Sequence, residues 1–232
     1  MRNSRGAQLY DNFGSQSEVR PLMQGVYAWM TFGLMLTALV AFLVSSSPTL
    51  LDLALNPVAV IVAVIAELVL VFVLSGAISR LSAGTAMLMF LVYAALNGFT
   101  LSLVFISFDI GTLTLAFVTT AATFAVMTVI GFTTSIDLSR YSTYFMMGLI
   151  GLVIALLVNS FLQSSSLDFI LSILGVLLFS GLTAYDTQRI QQLAADTDVN
   201  SLTQMSIRGA LTLYLDSINL FLFFLRIFDR QQ

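Results

Sequence analysis

Seven apolar runs, each about 20 residues long and joined by short polar stretches, limit what this chain can fold into more than any other feature. They are Met23–Val44, Pro57–Ile78, Ala83–Ile106, Thr112–Thr134, Thr143–Leu162, Leu167–Tyr185 and Ile207–Phe228. At a rise of about 1.5 Å per residue, a helix of that length crosses a hydrocarbon core about 30 Å thick. A closed barrel is the other spanning solution, but its strands alternate apolar and polar residues over about 10 positions, and these runs are continuous. The break between the fifth and sixth runs rests on Ser164, Ser165, Ser166 and Asp168; without it the count falls to six. With 58% hydrophobic and 9% charged residues, the chain has too little polar surface for a soluble domain. The expected class is an all-α polytopic membrane protein with seven transmembrane helices.

Residues 1–20 are polar and charged, with too little apolar surface to order on their own, and are expected to form a mobile cytoplasmic tail on a seven-helix membrane domain spanning 21–232. The first run is longer than a signal core of about 7–15 residues and lacks a small-residue cleavage site, so the N-terminus is expected to be retained. Arginines in short loops stay on the cytoplasmic side. Seven crossings put Arg2, Arg5, Arg20, Arg80, Arg140, Arg189 and Arg208 on the N-terminal side and leave Arg226 and Arg230 opposite, which predicts a cytoplasmic N-terminus and a C-terminus across the membrane. Tyr27, Trp29, Tyr141 and Tyr144 lie near run ends, where amphipathic rings favour the headgroup layer.

The composition excludes whole classes of chemistry. The chain has no histidine, cysteine or lysine, which removes a Ser–His pair, histidine or cysteine metal ligands, thiol catalysis, disulfides and a retinal Schiff base. No Walker loop, dinucleotide fingerprint or basic aromatic patch is present, so an ATPase, a dehydrogenase or a nucleic-acid binder is not expected. The chain is not expected to be an enzyme or to carry a cofactor. Carboxylate, tyrosine and arginine are what remain.

Glu67, Asp186 and Asp216 lie within or at the edge of the apolar runs. Each costs roughly 2.5–3.5 kcal/mol at membrane depth unless neutralised, paired or hydrated. Counting the rise from flanking arginines puts Asp186 about 4–5 Å inside the cytoplasmic edge and Asp216 about 12 Å inside. Two carboxyls at similar levels on consecutive spans can meet, and since burial and mutual repulsion disfavour double ionisation, such a pair shares one proton and titrates as a unit. Glu67 and Arg226, about 20 and 27 Å up by the same arithmetic, are candidates for a second ion pair. Arg80 lies near the level of Asp186 and can pair with it.

Simpler readings stand beside these. Asp186 is also readable as a hydrated residue at a helix end, Asp216 as structural, and Glu67 as a packing clamp. Asp196 and Asp198 resemble the start of a calcium loop but lack its glycine and terminal glutamate. Gly148, Gly151, Ser180 and Ala184 suit close helix packing, and Asn97 and Asn219 suit hydrogen bonds between helices.

The runs Gly181-Leu-Thr-Ala-Tyr-Asp-Thr-Gln188 and Leu211-Thr-Leu-Tyr-Leu-Asp-Ser-Ile-Asn-Leu-Phe221 resemble the two most characteristic motifs of the Bax inhibitor, or transmembrane Bax inhibitor motif, family. Val26-Tyr-Ala-Trp-Met30, Leu36-Thr-Ala-Leu-Val-Ala41, Asn97-Gly-Phe-Thr-Leu-Ser102 and Ile130-Gly-Phe-Thr-Thr-Ser-Ile-Asp-Leu-Ser139 extend the likeness in order along the membrane part, closest to bacterial inner-membrane members. The resemblance implies a central C-terminal helix wrapped by two three-helix layers. It also implies a pH-sensitive calcium leak closed by a hydrogen-bonded pair matching Asp186 and Asp216, with Arg80 as partner of the first and Glu67 with Arg226 near the other face. Some members are credited with restraining an integral membrane protease or suppressing cell death.

The function expected from these readings is a passive, proton-gated cation pathway, with calcium as permeant ion transiently held by Asp186 and Asp216. The alternative is an interaction protein that modulates an integral membrane protease or a stress response through its lipid-facing helices and tail. Proton-coupled transport of another solute is a third reading. Partners under the first are the lipid bilayer, calcium and protons.

Overall fold

In a computed structural model of the protein, the backbone is described for residues 4–76, 80–194 and 202–229, and side chains from residue 20 onward within those stretches except that of residue 194. Eight α-helices are present among them: α1 (Ser4–Ser46), α2 (Pro48–Leu55), α3 (Pro57–Gly76), α4 (Ala83–Ser107), α5 (Ile110–Thr133), α6 (Ser142–Leu162), α7 (Ser165–Ala194) and α8 (Leu202–Asp229). A 3₁₀ turn over Leu138–Tyr141 leads into α6. Seven of these helices, all but α2, are long and apolar enough to cross a membrane. Their outward faces carry large apolar side chains, among them Val58 at 69%, Phe72 at 75% and Phe161 at 88% exposure. Such surfaces suit lipid and not water.

The capping chemistry explains where the helices stop. Asn56 Oδ1 accepts from the Val58 and Ala59 amides, and Pro57 follows it where a helix needs no N–H, so α3 starts there. Asp109 accepts from the Gly111 and Thr112 amides at the head of α5. The break between the fifth and sixth spans is built in the same way. Gln163 ends α6 in the left-handed region (φ 49°), Asn159 Oδ1 accepts from the Ser164 amide, and Ser164 Oγ accepts from the Leu167 amide as α7 begins. Three polar residues, Asn159, Gln163 and Ser164, thus suffice to separate two spans.

Three boundaries differ from the sequence reading. Helix α1 runs back to Ser4 through Pro21, so residue 20 marks a change in composition and not in backbone structure. The short helix α2 fills the first connection, started by Pro48 at its first turn. The sixth span continues past Tyr185 to Ala194, and of the polar residues beyond Tyr185 it is Gln188 that bonds to the loop after α5. The end of the second run at Ile78, and Arg2, Arg5, Asp196, Asp198 and Arg230, lie outside the described side chains.

The chain divides into two compact units, residues 1–102 with 189–212, and residues 103–188 with 213–232. In the first, Thr37 Oγ1 donates to the Ala94 carbonyl at 2.8 Å, and Trp29 packs edge-on against Phe90. A Cβ added at Gly98 would lie 2.6 Å from the Thr37 carbonyl oxygen, so α1 and α4 touch through their backbones. The core of the second unit comprises Leu152, Leu171, Phe179, Leu182, Leu220 and Phe223. A smaller cluster gathers Leu113, Ala116 and Leu225. Of the seven spans, the one over Leu202–Asp229 is the most buried, at 39% of its apolar window, against 11% for Pro57–Gly76.

Candidate functional site: a buried carboxyl pair

Asp186 and Asp216 both lie in the second unit, 9% and 4% exposed. Asp186 is flanked on α7 by buried Thr183, Ala184, Thr187 and Gln188, and Asp216 on α8 by buried Leu213, Tyr214 and Leu220. The register of the two helices accounts for their meeting. Gly175 leaves room for the Phe223 ring, whose atoms would lie 2.6 Å from an added Cβ, and Phe179 stacks at 5.8 Å on the same ring. Seven residues further along α7, two turns and the same face, is Asp186; seven residues back along α8 is Asp216. The helices run antiparallel, and the two carboxyls fall within electrostatic reach of each other. Asp216 Oδ2 is buried without a hydrogen-bond donor among the described residues. In an apolar interior an unserved carboxylate oxygen is costly, and a proton held between the two acids is the group that would serve it.

Helix α5 and the loop after it pack beside this pair. A Cβ at Gly131 would lie 2.5 Å from the Ala184 carbonyl oxygen and 2.9 Å from Thr187 Cβ, so the end of α5 rests on the turn of α7 that carries Asp186. Buried Gln188 reaches the loop with both ends of its amide: Nε2 donates to the Ile136 carbonyl at 2.9 Å, and Oε1 accepts from the Leu138 amide at 2.8 Å. These contacts fix α7 on either side of Asp186. The reading of Asp186 as a hydrated residue at a helix end is therefore corrected: it lies inside α7, screened from solvent.

Other expected residues are placed differently. Arg226 Nη1 pairs with Asp168 at 3.7 Å and lies over the Phe223 ring, while Glu67 accepts from Thr100 Oγ1 at 2.9 Å. The depth argument pairs Glu67 with Arg226; within its own unit each contacts another residue, Thr100 for Glu67 and Asp168 for Arg226. Asp168 was passed over as an interruption between spans. The signal for it was present: it lies 21 residues before Arg189, about 31 Å up, close to the level of Arg226. Arg80 is exposed, next to the undescribed residues 77–79. Among the described residues Asn219 donates only to Leu215 of its own helix, at 2.8 Å, and a Cβ at Gly151 would meet nothing within 4 Å, so neither serves the helix packing expected of it. Gly148 does face a neighbour, Leu178.

As a metal site the pair is sparse. Calcium takes about six to eight oxygens, and among the described residues no three acidic side chains gather. Two carboxylates suit an ion in passage and not a resident one.

Residues 19–232 match the family profile described as inhibitor of apoptosis-promoting Bax1. The chain is 46% identical over 214 residues to the inner membrane protein YbhL of Escherichia coli, covering 90% of this chain and 92% of that one. A protein of Deinococcus radiodurans is 43% identical over 212 residues, 90% of each chain, and one of Borreliella burgdorferi is 40% identical over 212 residues, 89% of this chain and 90% of that one.

Proposed function

The chain belongs to the Bax inhibitor family, and from that premise we propose that it is a pH-sensitive passive leak for cations, calcium first among them, shut by the Asp186–Asp216 pair. The observation that carries this reading is the burial of two carboxyls, on antiparallel helices and within electrostatic reach, with one oxygen lacking a donor. A single proton shared between them holds α7 and α8 together. Its loss leaves two like charges in an apolar interior, and a second proton replaces a charge-assisted bond by a weaker one. Either change alters the contact between the helices. Carboxylate oxygens are the ligands hard divalent cations prefer, so the bolt also serves as the ion's waypoint.

In this reading the protein performs no covalent chemistry. It resides in the inner membrane, as the name of the Escherichia coli relative supports, with the N-terminus cytoplasmic, as the arginine distribution supports. The test is calcium flux into proteoliposomes against pH. Wild type is expected to show a pH-dependent flux, and Asp186→Asn and Asp216→Asn a flat one, with flux at a given pH differing by about tenfold or more from wild type, which corresponds to about 1.4 kcal/mol in the balance of shut and open forms. Aspartate variants that keep the wild-type profile would remove the gate.

A further inference from the structure

The first unit holds a polar cluster that the leak reading does not use. Glu67 sits at mid-length of α3 among lipid-facing side chains, with Ile65 at 56%, Leu68 at 54% and Val69 at 55% exposure. Across from it on α4 are Thr100, whose Oγ1 lies 2.9 Å from Glu67 Oε1, and Asn97, three residues earlier on the same face of α4. Tyr93, one helical turn before Asn97, is the titratable group facing Glu67 from α4; α3 has no other.

A count of hydrogens shows what the cluster lacks. Thr100 Oγ1 is also 3.0 Å from the Asn97 carbonyl oxygen, so one hydroxyl hydrogen stands between two acceptors. Asn97 is 9% exposed, and its Oδ1 is buried with no hydrogen-bond partner. An ionised carboxylate offers only acceptors and leaves Oδ1 orphaned, at a cost of about 1–3 kcal/mol for such a group. A protonated carboxyl is the complement of a primary amide. Its O–H would donate to Oδ1 and its carbonyl oxygen would accept from the amide N–H, leaving the Thr100 hydroxyl to the Asn97 carbonyl 3.0 Å away.

We propose that Glu67, Asn97 and Thr100 form a proton-binding site, occupied in the form described here, in which neutral Glu67 pairs with the Asn97 carboxamide. The site is separate from the carboxyl pair and does not depend on the leak reading. It gives the protein a second locus that takes up and releases a proton at membrane depth, open to lipid on one side.

The test uses the purified full chain in detergent or liposomes, dicyclohexylcarbodiimide as an apolar probe, and peptide mapping by mass spectrometry. The reagent adds the O–H of a carboxylic acid across one of its C=N bonds, so an ionised Glu67 does not react. The expected result is an adduct on the Glu67 peptide that declines as pH rises and is unchanged when choline is replaced by sodium, potassium or calcium at constant ionic strength. Infrared spectra provide a readout without the reagent: a protonated-carboxyl C=O band present in wild type and missing in Glu67→Gln. Protection from the reagent by one of the metal cations would overturn the proposal and assign the cluster to that ion. Absence of both the adduct and the band at pH 6 would overturn it as well.

Discussion

Three residues in contact with water or with a neighbouring backbone, Asp137, Gly98 and Gly131, show how single positions are tuned. Asp137 accepts from the Ser139 hydroxyl at 2.6 Å and its amide at 3.1 Å, with Arg140 at 3.6 Å. These bonds, the Ser139 hydroxyl first, hold its carboxyl below the usual aspartate range. A depressed value means that the turn over Leu138–Tyr141 is favoured at and above the ordinary carboxylate pKa, and that this support is lost as pH falls through Asp137's own lower value. Carboxyl-carbon NMR is expected to show the midpoint moving up towards the ordinary value in Ser139→Ala. At Gly98 and Gly131 the added methyl of alanine meets a backbone oxygen at 2.6 and 2.5 Å, which cannot rotate away. Each substitution is expected to destabilise by about 1–3 kcal/mol. Gly151→Ala meets open space and is expected to be neutral or to stabilise by up to about 1 kcal/mol. Thermal unfolding in one detergent ranks the three.

Among the elements, α7 departs furthest from its sequence signature. Its apolar run ends at Tyr185, and the polar residues beyond read as a helix end, yet the helix continues to Ala194. One of these polar residues finds its partners far along the chain. Gln188 completes two hydrogen bonds of the loop after α5, whose carbonyl and amide are 52 and 50 residues away. Gln188→Leu removes both bonds and buries an apolar group in their place. It is expected to cost about 1–3 kcal/mol and to speed hydrogen exchange at the Leu138 amide relative to amides within α6. Unchanged exchange there would show that the loop is held by something else.

At the scale of the whole molecule, seven helices long and apolar enough to cross a membrane predict that the two ends of the chain lie on opposite faces of the bilayer. With the N-terminus cytoplasmic, a C-terminal fusion to alkaline phosphatase is expected to be active and one to a fluorescent protein dark. The reverse pattern would invert the level at which the aspartate pair sits. Only the odd count gathers seven of nine arginines on one side, so this experiment tests the topology and the orientation together.

By itself the sequence determined the class and the number of helices long and apolar enough to span, because the length and continuity of apolar runs are one-dimensional quantities. The Asn56 and Asp109 caps and the Ser164 break are local in the same sense. Which side chains face one another was decided only by the tertiary structure. A helix can turn about its axis without changing any depth, and the seating of Phe223 over Gly175 fixes that rotation for α7 and α8. That contact brings Asp186 to Asp216. Within the two units, Arg226 is matched with Asp168, and Glu67 with Thr100 and Asn97.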